Sequence, residues 1–376
     1  MKILHILSDM DPQAGGVCQA VRTMIRGLSV PGVSHEVVCL NPPDSAALRD
    51  CDYPVHALGY GTTPWNYRPQ LAAWLAGNLS RYDVAILHGL WQYQSHALLK
   101  NLRPAAGTRV FVMPHGMLDP YFQRAAGRRL KAARNWLIWH LLERKVIQHT
   151  DGLLFTCETE KLLARTTFAG YRPKREHVVG LGVDAPPPPP PGLTASGYWL
   201  YISRIHPKKG VDMLVEAYLT LKKRGGRTLP PLVIAGPGLD TPYGKKVKEL
   251  AAGDPDIQFT GMLTGDRKWE AFYGCEAFIL PSHQENFGIA VAEALACSKP
   301  VLISDQVNIW REIDREGGGL VAADTAAGTT SLLTRWLDMD DDRKLAVAQA
   351  ARSVYDNYFT VQAAAERLKN ALNDDA

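Results

Sequence analysis

The sequence predicts an α/β protein made of two doubly wound, Rossmann-like halves facing a central cleft. Short apolar runs alternate with stretches of helical periodicity along the chain, as the strand–helix units of a parallel sheet do. Six consecutive prolines at 186–191 interrupt the pattern, which then restarts. A chain of 376 residues is long enough for about two domains. Its 46% apolar and 21% charged composition suits a globular protein with full cores.

In the first half, Lys2–Ser8, His35–Leu40, Asp83–His88, Arg109–Pro114 and Gly152–Thr156 read as buried strands, and Val17–Leu28 has helical apolar spacing. The proline run lacks backbone donors and favours a stiff, extended conformation. Residues 186–197 are therefore expected to link a first domain, 1–185, to a second, 198–355. In the second, the strands Tyr198–Ser203, Leu232–Ala235, Ile257–Thr260, Ala277–Leu280 and Pro300–Ser304 alternate with helices over Gly210–Arg224, Tyr243–Ala252, Arg267–Tyr273 and Gly288–Cys297. A final helix in 356–376 is expected to pack back on the first domain. Ligands of doubly wound sheets gather at the carboxyl ends of the strands, so the cleft between two such halves is the natural site.

Composition narrows the function. Cysteines stand at 18, 39, 51, 157, 275 and 297 with no C-x-x-C pair, which reads as reduced thiols in a cytoplasmic protein rather than a zinc or dithiol site. The first apolar run is too short for a signal peptide, and no run of about 18 apolar residues occurs, so any membrane contact is expected to be peripheral. Residues 1–185 carry 21 Lys and Arg against 14 Asp and Glu, and the rest carries 21 against 24. A basic front half suits an anionic partner or surface, yet no nucleic-acid module accompanies it.

Five places carry candidate chemistry. Gly15-Gly16 follows the first strand and opens a helix, where close amides and the helix N-terminus attract phosphate; a structural turn would look the same. Arg204 and Lys209 follow the strand Tyr198–Ser203, and two cations beside a helix start suit a diphosphate, the alternative being a solvated basic loop. In Glu285–Glu293, Gly288 opens a helix, Glu285 precedes it and Glu293 lies on its second turn, so one acid can meet sugar hydroxyls and the other a ribose diol, with the amides of Phe287 and Gly288 toward phosphate. His115 and His88 each close a strand, a placement that suits ligand contact, although a lone histidine such as His88 is more often structural. No H-E-x-x-H occurs, and Asp340–Asp342 reads as a helix-start cap or solvated patch rather than a metal site.

Taken in order, these segments resemble the retaining glycosyltransferases of family 4, with the GT-B fold. The resemblance runs through Gly15-Gly16-Val17, Pro114-His115-Gly116, Gly182-Val183-Asp184, Ser203-Arg204, Lys208-Lys209-Gly210 and Ala235-Gly236-Pro237-Gly238. It continues through Phe259-Thr260-Gly261, Pro281-Ser282, the E-x7-E element at 285–293 and Lys299-Pro300-Val301. It implies that Gly15 and Gly16 lie at the donor phosphates, that His115 contacts the transferred sugar near its C6 hydroxyl, and that Arg204 and Lys209 hold the diphosphate. It further implies Glu285 on sugar hydroxyls, backbone contacts from Phe287, Gly288 and Ile289, and Glu293 on the ribose. The implied reaction retains anomeric configuration without a metal or other cofactor, the nucleotide-sugar being a substrate. The proline-rich linker departs from the family pattern and implies restricted domain closure.

The acceptor is expected on the first half, with His88 as a candidate contact. Phe122–Gln148 carries seven basic residues against Glu143, interleaved with Leu130, Trp136, Leu137, Ile138, Trp139, Leu141 and Leu142. Such a helix suits an anionic membrane surface and hence a lipid-linked saccharide acceptor; a core helix with a solvated basic face is the alternative. The rival functions are a GT-B phosphorylase or epimerase and a non-catalytic sugar-binding protein. A dinucleotide oxidoreductase is weaker, because Gly236-Pro237-Gly238 loses an amide to its proline.

Overall fold

The computed structural model describes residues 1–11, 15–102, 107–124, 127–192 and 197–374. The chain forms two compact units, Met1–Gly182 with Val361–Ala376, and Val183–Thr360. The boundary falls ahead of the prolines. Within the second unit Val183 bridges Thr360, its carbonyl accepts from the Tyr355 hydroxyl at 2.9 Å, and the Pro187 carbonyl accepts from the Tyr273 hydroxyl at 2.8 Å.

The first unit is built on strands β1 (Lys2–Ile6), β2 (Ser34–Cys39), β3 (Val55–Ala57), β4 (Val84–His88), β5 (Arg109–Met113), β6 (Gly152–Phe155) and β7 (Glu176–Val178). They form one parallel sheet in the order β3-β2-β1-β4-β5-β6-β7. Both faces are covered, so the central strands are apolar on each side. Leu4, Ile6, Ala85, Leu87, Val110 and Val112 point into one layer with Leu75, Leu98 and Trp139. On the other face Ile3, Val84, Ile86, Phe111 and Met113 meet Leu368 and Leu372. Those two leucines belong to the terminal helix Val361–Asn373, which crosses so near the chain that a Cβ on Gly182 would lie 2.7 Å from the Val361 Cα.

The second unit has β8 (Tyr198–Ile202), β9 (Leu232–Ala235), β10 (Ile257–Gly261), β11 (Cys275–Leu280), β12 (Val301–Ser304) and β13 (Gly319–Ala322). They form a parallel sheet in the order β10-β9-β8-β11-β12-β13. In each sheet the order turns back at the first strand, so β1 lies beside β4 and β8 beside β11. These are the switch points where loops diverge and leave room for a ligand.

The sequence reading finds every central strand and misses β3, β7 and β13. All three are short and lie at sheet edges. Val55-His56-Ala57 and Glu176-His177-Val178 are only partly buried along their length, so the apolar run that marks a central strand is absent. Asp340 caps the helix Asp341–Val354, accepting from the Arg343 amide at 2.8 Å. Among the described residues no helix is long and apolar enough to cross a membrane.

Candidate active site

In the second unit, the loops after β8 and β11 lie side by side because their strands are neighbours. The β8 loop is wedged by three glycines. Gly236 (φ 145°) and Gly238 (φ 111°) press against it from the β9 side, where a Cβ on Gly236 would overlap the Ser203 carbonyl oxygen and one on Gly238 would lie 2.6 Å from that of Ile205. The Ile205 amide donates to the Pro237 carbonyl at 2.8 Å. On the β11 side Gly210 (φ 65°) leaves no space for a Cβ beside the Pro281 carbonyl. The glycines of Gly236-Pro237-Gly238 are therefore packing residues for the loop bearing Arg204 and Lys209, which accounts for the motif without a dinucleotide.

That loop ends in a 3-10 turn, Pro207–Lys209, capped by the His206 side chain. The Lys208 carbonyl accepts from the His283 amide at 2.8 Å and the Ser282 hydroxyl at 3.0 Å, locking the two loops together. Lys209 is buried, 7% exposed, and its ammonium pairs with the Glu285 carboxylate. Burial, then the charges of Lys208 and Arg204, pull the ammonium's pKa down to about 7; contact with Glu285 works the other way, favouring the charged form. Glu285 is itself pinned by its backbone, donating to the Gln306 carbonyl and accepting from the Asn308 amide, both at 2.9 Å. Arg204 is exposed at the mouth of the same loop.

Three residues beyond Glu285, Gly288 adopts a left-handed conformation (φ 81°) and caps the helix Ile289–Ala296. Phe287 turns its ring inward against Phe359, at 5.5 Å and 86°. Among the described residues no acceptor meets the amides of Phe287, Gly288 and Ile289. Unpaired amides at a helix start carry partial positive charge and bind anions. One turn on, the Glu293 carboxylate accepts from Lys268 Nζ at 2.7 Å. Burial raises its pKa while Lys268 lowers it. Lys268, on the helix Gly265–Gly274, is a residue the sequence reading does not single out, since nothing local links it to Glu293. So the structure joins Lys209, Glu285, Phe287, Gly288 and Ile289, with Arg204 on the same loop, and gives Glu293 a partner of its own.

In the first unit, Gly15 (φ 141°) leads into the helix Gly16–Gly27. A Cβ on Gly16 would meet nothing within 4 Å, so protein packing does not require glycine there. His115 (φ 52°) follows β5, and the next amide, Gly116, donates to buried Glu160 at 2.6 Å. Burial lowers the His115 pKa to about 4. His88 is almost wholly buried and both its ring nitrogens are engaged, Nε2 with His5 and Nδ1 with His115, each at 3.0 Å. The ring is committed to its neighbours rather than presented to an acceptor. A cavity of about 620 Å³ at this end of the sheet is lined by Asp9, Tyr60, His88, Trp91, Gln92 and Arg134, among others.

Glu143 holds one wall residue of this cavity, Trp91. It ends the π-helical turn Trp139–Glu143, is fully buried, and accepts from the Trp91 amide at 2.7 Å, holding Trp91 at φ 72°. Burial pushes its pKa from 4.5 up to about 7, against the opposing effects of Trp91 and Ser95. The folded protein thus keeps a proton that the unfolded chain releases, and stability falls as pH rises from about 4.5 to about 7. Glu143→Gln still accepts from Trp91 but cannot ionise. Its melting temperature should vary less across that window and exceed the parent's above pH 7, by the equivalent of about 3 kcal/mol. Parallel melting curves from pH 4.5 to 8 would rule this out.

Comparison with known proteins places the chain. The family model for glycosyl transferases group 1 matches residues 194–354, and that for the glycosyl transferase 4-like domain matches 15–182. The GDP-mannose:cellobiosyl-diphosphopolyprenol alpha-mannosyltransferase of Xanthomonas oryzae is 24% identical over 95% of this chain and 93% of its own. A D-inositol 3-phosphate glycosyltransferase of Gordonia bronchialis is 29% identical over 51% of this chain, which spans only 43% of that relative's length. Among solved structures, the sucrose-phosphate synthase of Thermosynechococcus elongatus (TM-score 0.73, 18% identity, 99% of this chain and 98% of that one) shares the fold. So does Anabaena HepE in complex with UDP and glucose (TM-score 0.71, 16% identity, all of both chains). Two parallel, Rossmann-like sheets with these neighbours define the GT-B fold. The chain belongs to the group 1, family 4 glycosyltransferases.

Proposed function

We propose that this glycosyltransferase moves a hexose, with retention of configuration, from a GDP- or UDP-linked donor to a lipid-linked saccharide in cell-surface polysaccharide or glycolipid synthesis. The observation that carries the reading is the pair that buried Lys209 makes with Glu285, beside the amides of Phe287, Gly288 and Ile289, which meet no acceptor among the described residues. The second unit binds the donor. Arg204, Lys209 and those amides take the diphosphate, and their fixed positive charge stabilises the leaving group as the sugar bond breaks, so no metal is needed. Glu285 accepts from sugar hydroxyls and Glu293, held by Lys268, from the ribose. Gly15 and Gly16 admit the phosphates closely, and His115 meets the sugar's C6 hydroxyl. The leaving phosphate takes the acceptor's proton as the new bond forms on the same face.

The first unit takes the acceptor. Leu130, Trp136, Leu137 and Leu141 are 89%, 57%, 51% and 64% exposed on the helical segment that also exposes Arg129, Lys131 and Arg134. Apolar and aromatic side chains among cations suit an anionic bilayer, consistent with a cytoplasmic enzyme docked on the inner membrane face. The full-length Xanthomonas relative is named for a diphosphopolyprenol acceptor, and another relative is an O-antigen chain mannosyltransferase. The test offers GDP-mannose and UDP-glucose with a polyprenyl-diphosphate-linked disaccharide in anionic or neutral vesicles. The expected result is sugar transfer into the lipid phase, faster on anionic vesicles, with the protein floating with them. Transfer only to soluble sugars would sink the lipid-linked acceptor, and donor turnover without acceptor would point to an epimerase instead.

A further inference from the structure

Four histidines form one hydrogen-bonded row in the first unit. His35 Nδ1 lies 3.1 Å from His5 Nε2, His5 Nδ1 3.0 Å from His88 Nε2, and His88 Nδ1 3.0 Å from His115 Nε2. The row follows from strand order and register. His35 pairs with Ile3, two residues before His5; His5 pairs with Ile86, two before His88; His88 pairs with Met113, two before His115. Each step therefore crosses one strand and climbs two residues, on a constant diagonal over β2, β1, β4 and β5. Diagonal neighbours on one face are close enough for long or aromatic side chains to touch, and successive rings stand 5.2–5.3 Å apart. The row starts deep beside Leu28 and ends at the carboxyl edge of the sheet, where ligands bind.

We infer that His35, His5 and His88 are positioning residues that hold His115 in a single tautomer, so that His115 Nδ1 meets a substrate hydroxyl in one fixed role. This rests on the reading of His115 as a donor-sugar contact.

A neutral imidazole has one donor and one acceptor nitrogen. Burial lowers the pKa of all four rings, so each is neutral at pH 7. A chain of neutral rings has only two arrangements, with every N–H pointing one way or every N–H pointing the other. The two ends of the row differ: His35 Nε2 is buried and makes no hydrogen bond, whereas His115 stands at the edge where ligands bind, so the two arrangements are unequal in energy. With His35 protonated on Nε2, its Nδ1 must accept from His5 Nε2–H, His5 Nδ1 from His88 Nε2–H, and His88 Nδ1 from His115 Nε2–H. Among the described residues nothing partners His115 Nδ1. A pre-set ring spares the ligand the cost of switching the tautomer.

The test uses the full chain labelled with 15N-histidine, its ring signals assigned through single His variants, and long-range proton–nitrogen correlations that distinguish the two tautomers. His115 should appear as a single tautomer in the parent and as a mixture in His5→Phe. His5→Gln should restore the single form, because its amide donates on one side and accepts on the other. Donor kcat/KM should fall about 5–20-fold in His5→Phe and recover to within about threefold in His5→Gln, on the scale of one lost hydrogen bond. If His5→Phe does not fold, His35→Leu against His35→Gln asks the same question at the end of the row. A mixture of tautomers in the parent, or a tautomer unchanged in His5→Phe or His35→Leu, overturns the inference. A tautomer change with no kinetic change leaves the row intact as a device but removes His115 from the sugar, which overturns the site reading instead.

Discussion

Lys209→Ala is expected to lower kcat by about 10²–10³-fold, the usual loss when one fixed group facing transition-state charge is removed. Lys209 is buried at the end of the β8 loop and holds Glu285. Its ammonium is placed by backbone contacts on both sides, through the His206 cap and the bonds from His283 and Ser282 to the Lys208 carbonyl. In the proposed reaction the diphosphate gains negative charge as the sugar departs, so this cation would act more strongly in the transition state than in the donor complex. The loss should therefore fall mainly on kcat, with a smaller rise in KM. Lys209→Arg should not rescue, because a guanidinium needs more room and a planar fork. Steady-state kinetics on protein with parental circular dichroism decide the matter. A kcat within threefold of the parent's would remove Lys209 from the chemistry.

Gly236→Ala should cost stability and donor binding together. Its φ of 145° is one that residues with a Cβ rarely adopt, and the added carbon would overlap the Ser203 carbonyl. The obstacle is backbone, so the β8 loop itself must move. Overpacking and an unfavourable φ each cost one to a few kcal/mol, so a loss of roughly 2–4 kcal/mol is expected. Moving that loop also displaces Arg204 and Lys209, so the thermal stabilisation that saturating nucleotide-sugar gives the parent should largely disappear. A variant with parental melting temperature and parental donor response would show that the glycine is not what sets the loop.

Much of the candidate site was legible because its pieces are local. Gly288 before a run of helix formers predicts a helix start, and Arg204 and Lys209 after an apolar strand predict cations at a strand end. The glycines at 236 and 238 were visible too, but their purpose was not, since it lies in contact with Ser203 and Ile205. Glu293 was legible as an acid on the second turn of a helix, whereas its partner Lys268 is 25 residues away in the chain. Glu143 read as one acid in a basic helix. Only its complete burial under Trp91 marks it as a carboxyl that titrates near neutrality.

By itself the sequence determined the alternation of strands and helices, the division into two sheets and the order of the candidate site segments. These depend on periodicity and on residues a few positions apart. Tertiary structure alone decided what crosses between strands: the Lys209–Glu285 pair, spanning 76 residues, and the diagonal of His35, His5, His88 and His115. The physical reason is that both faces of these sheets are buried. Central strands then read as unbroken apolar runs, without the in–out alternation that would reveal register. Neither strand order nor register is written in such a run, and those two quantities place one imidazole against the next.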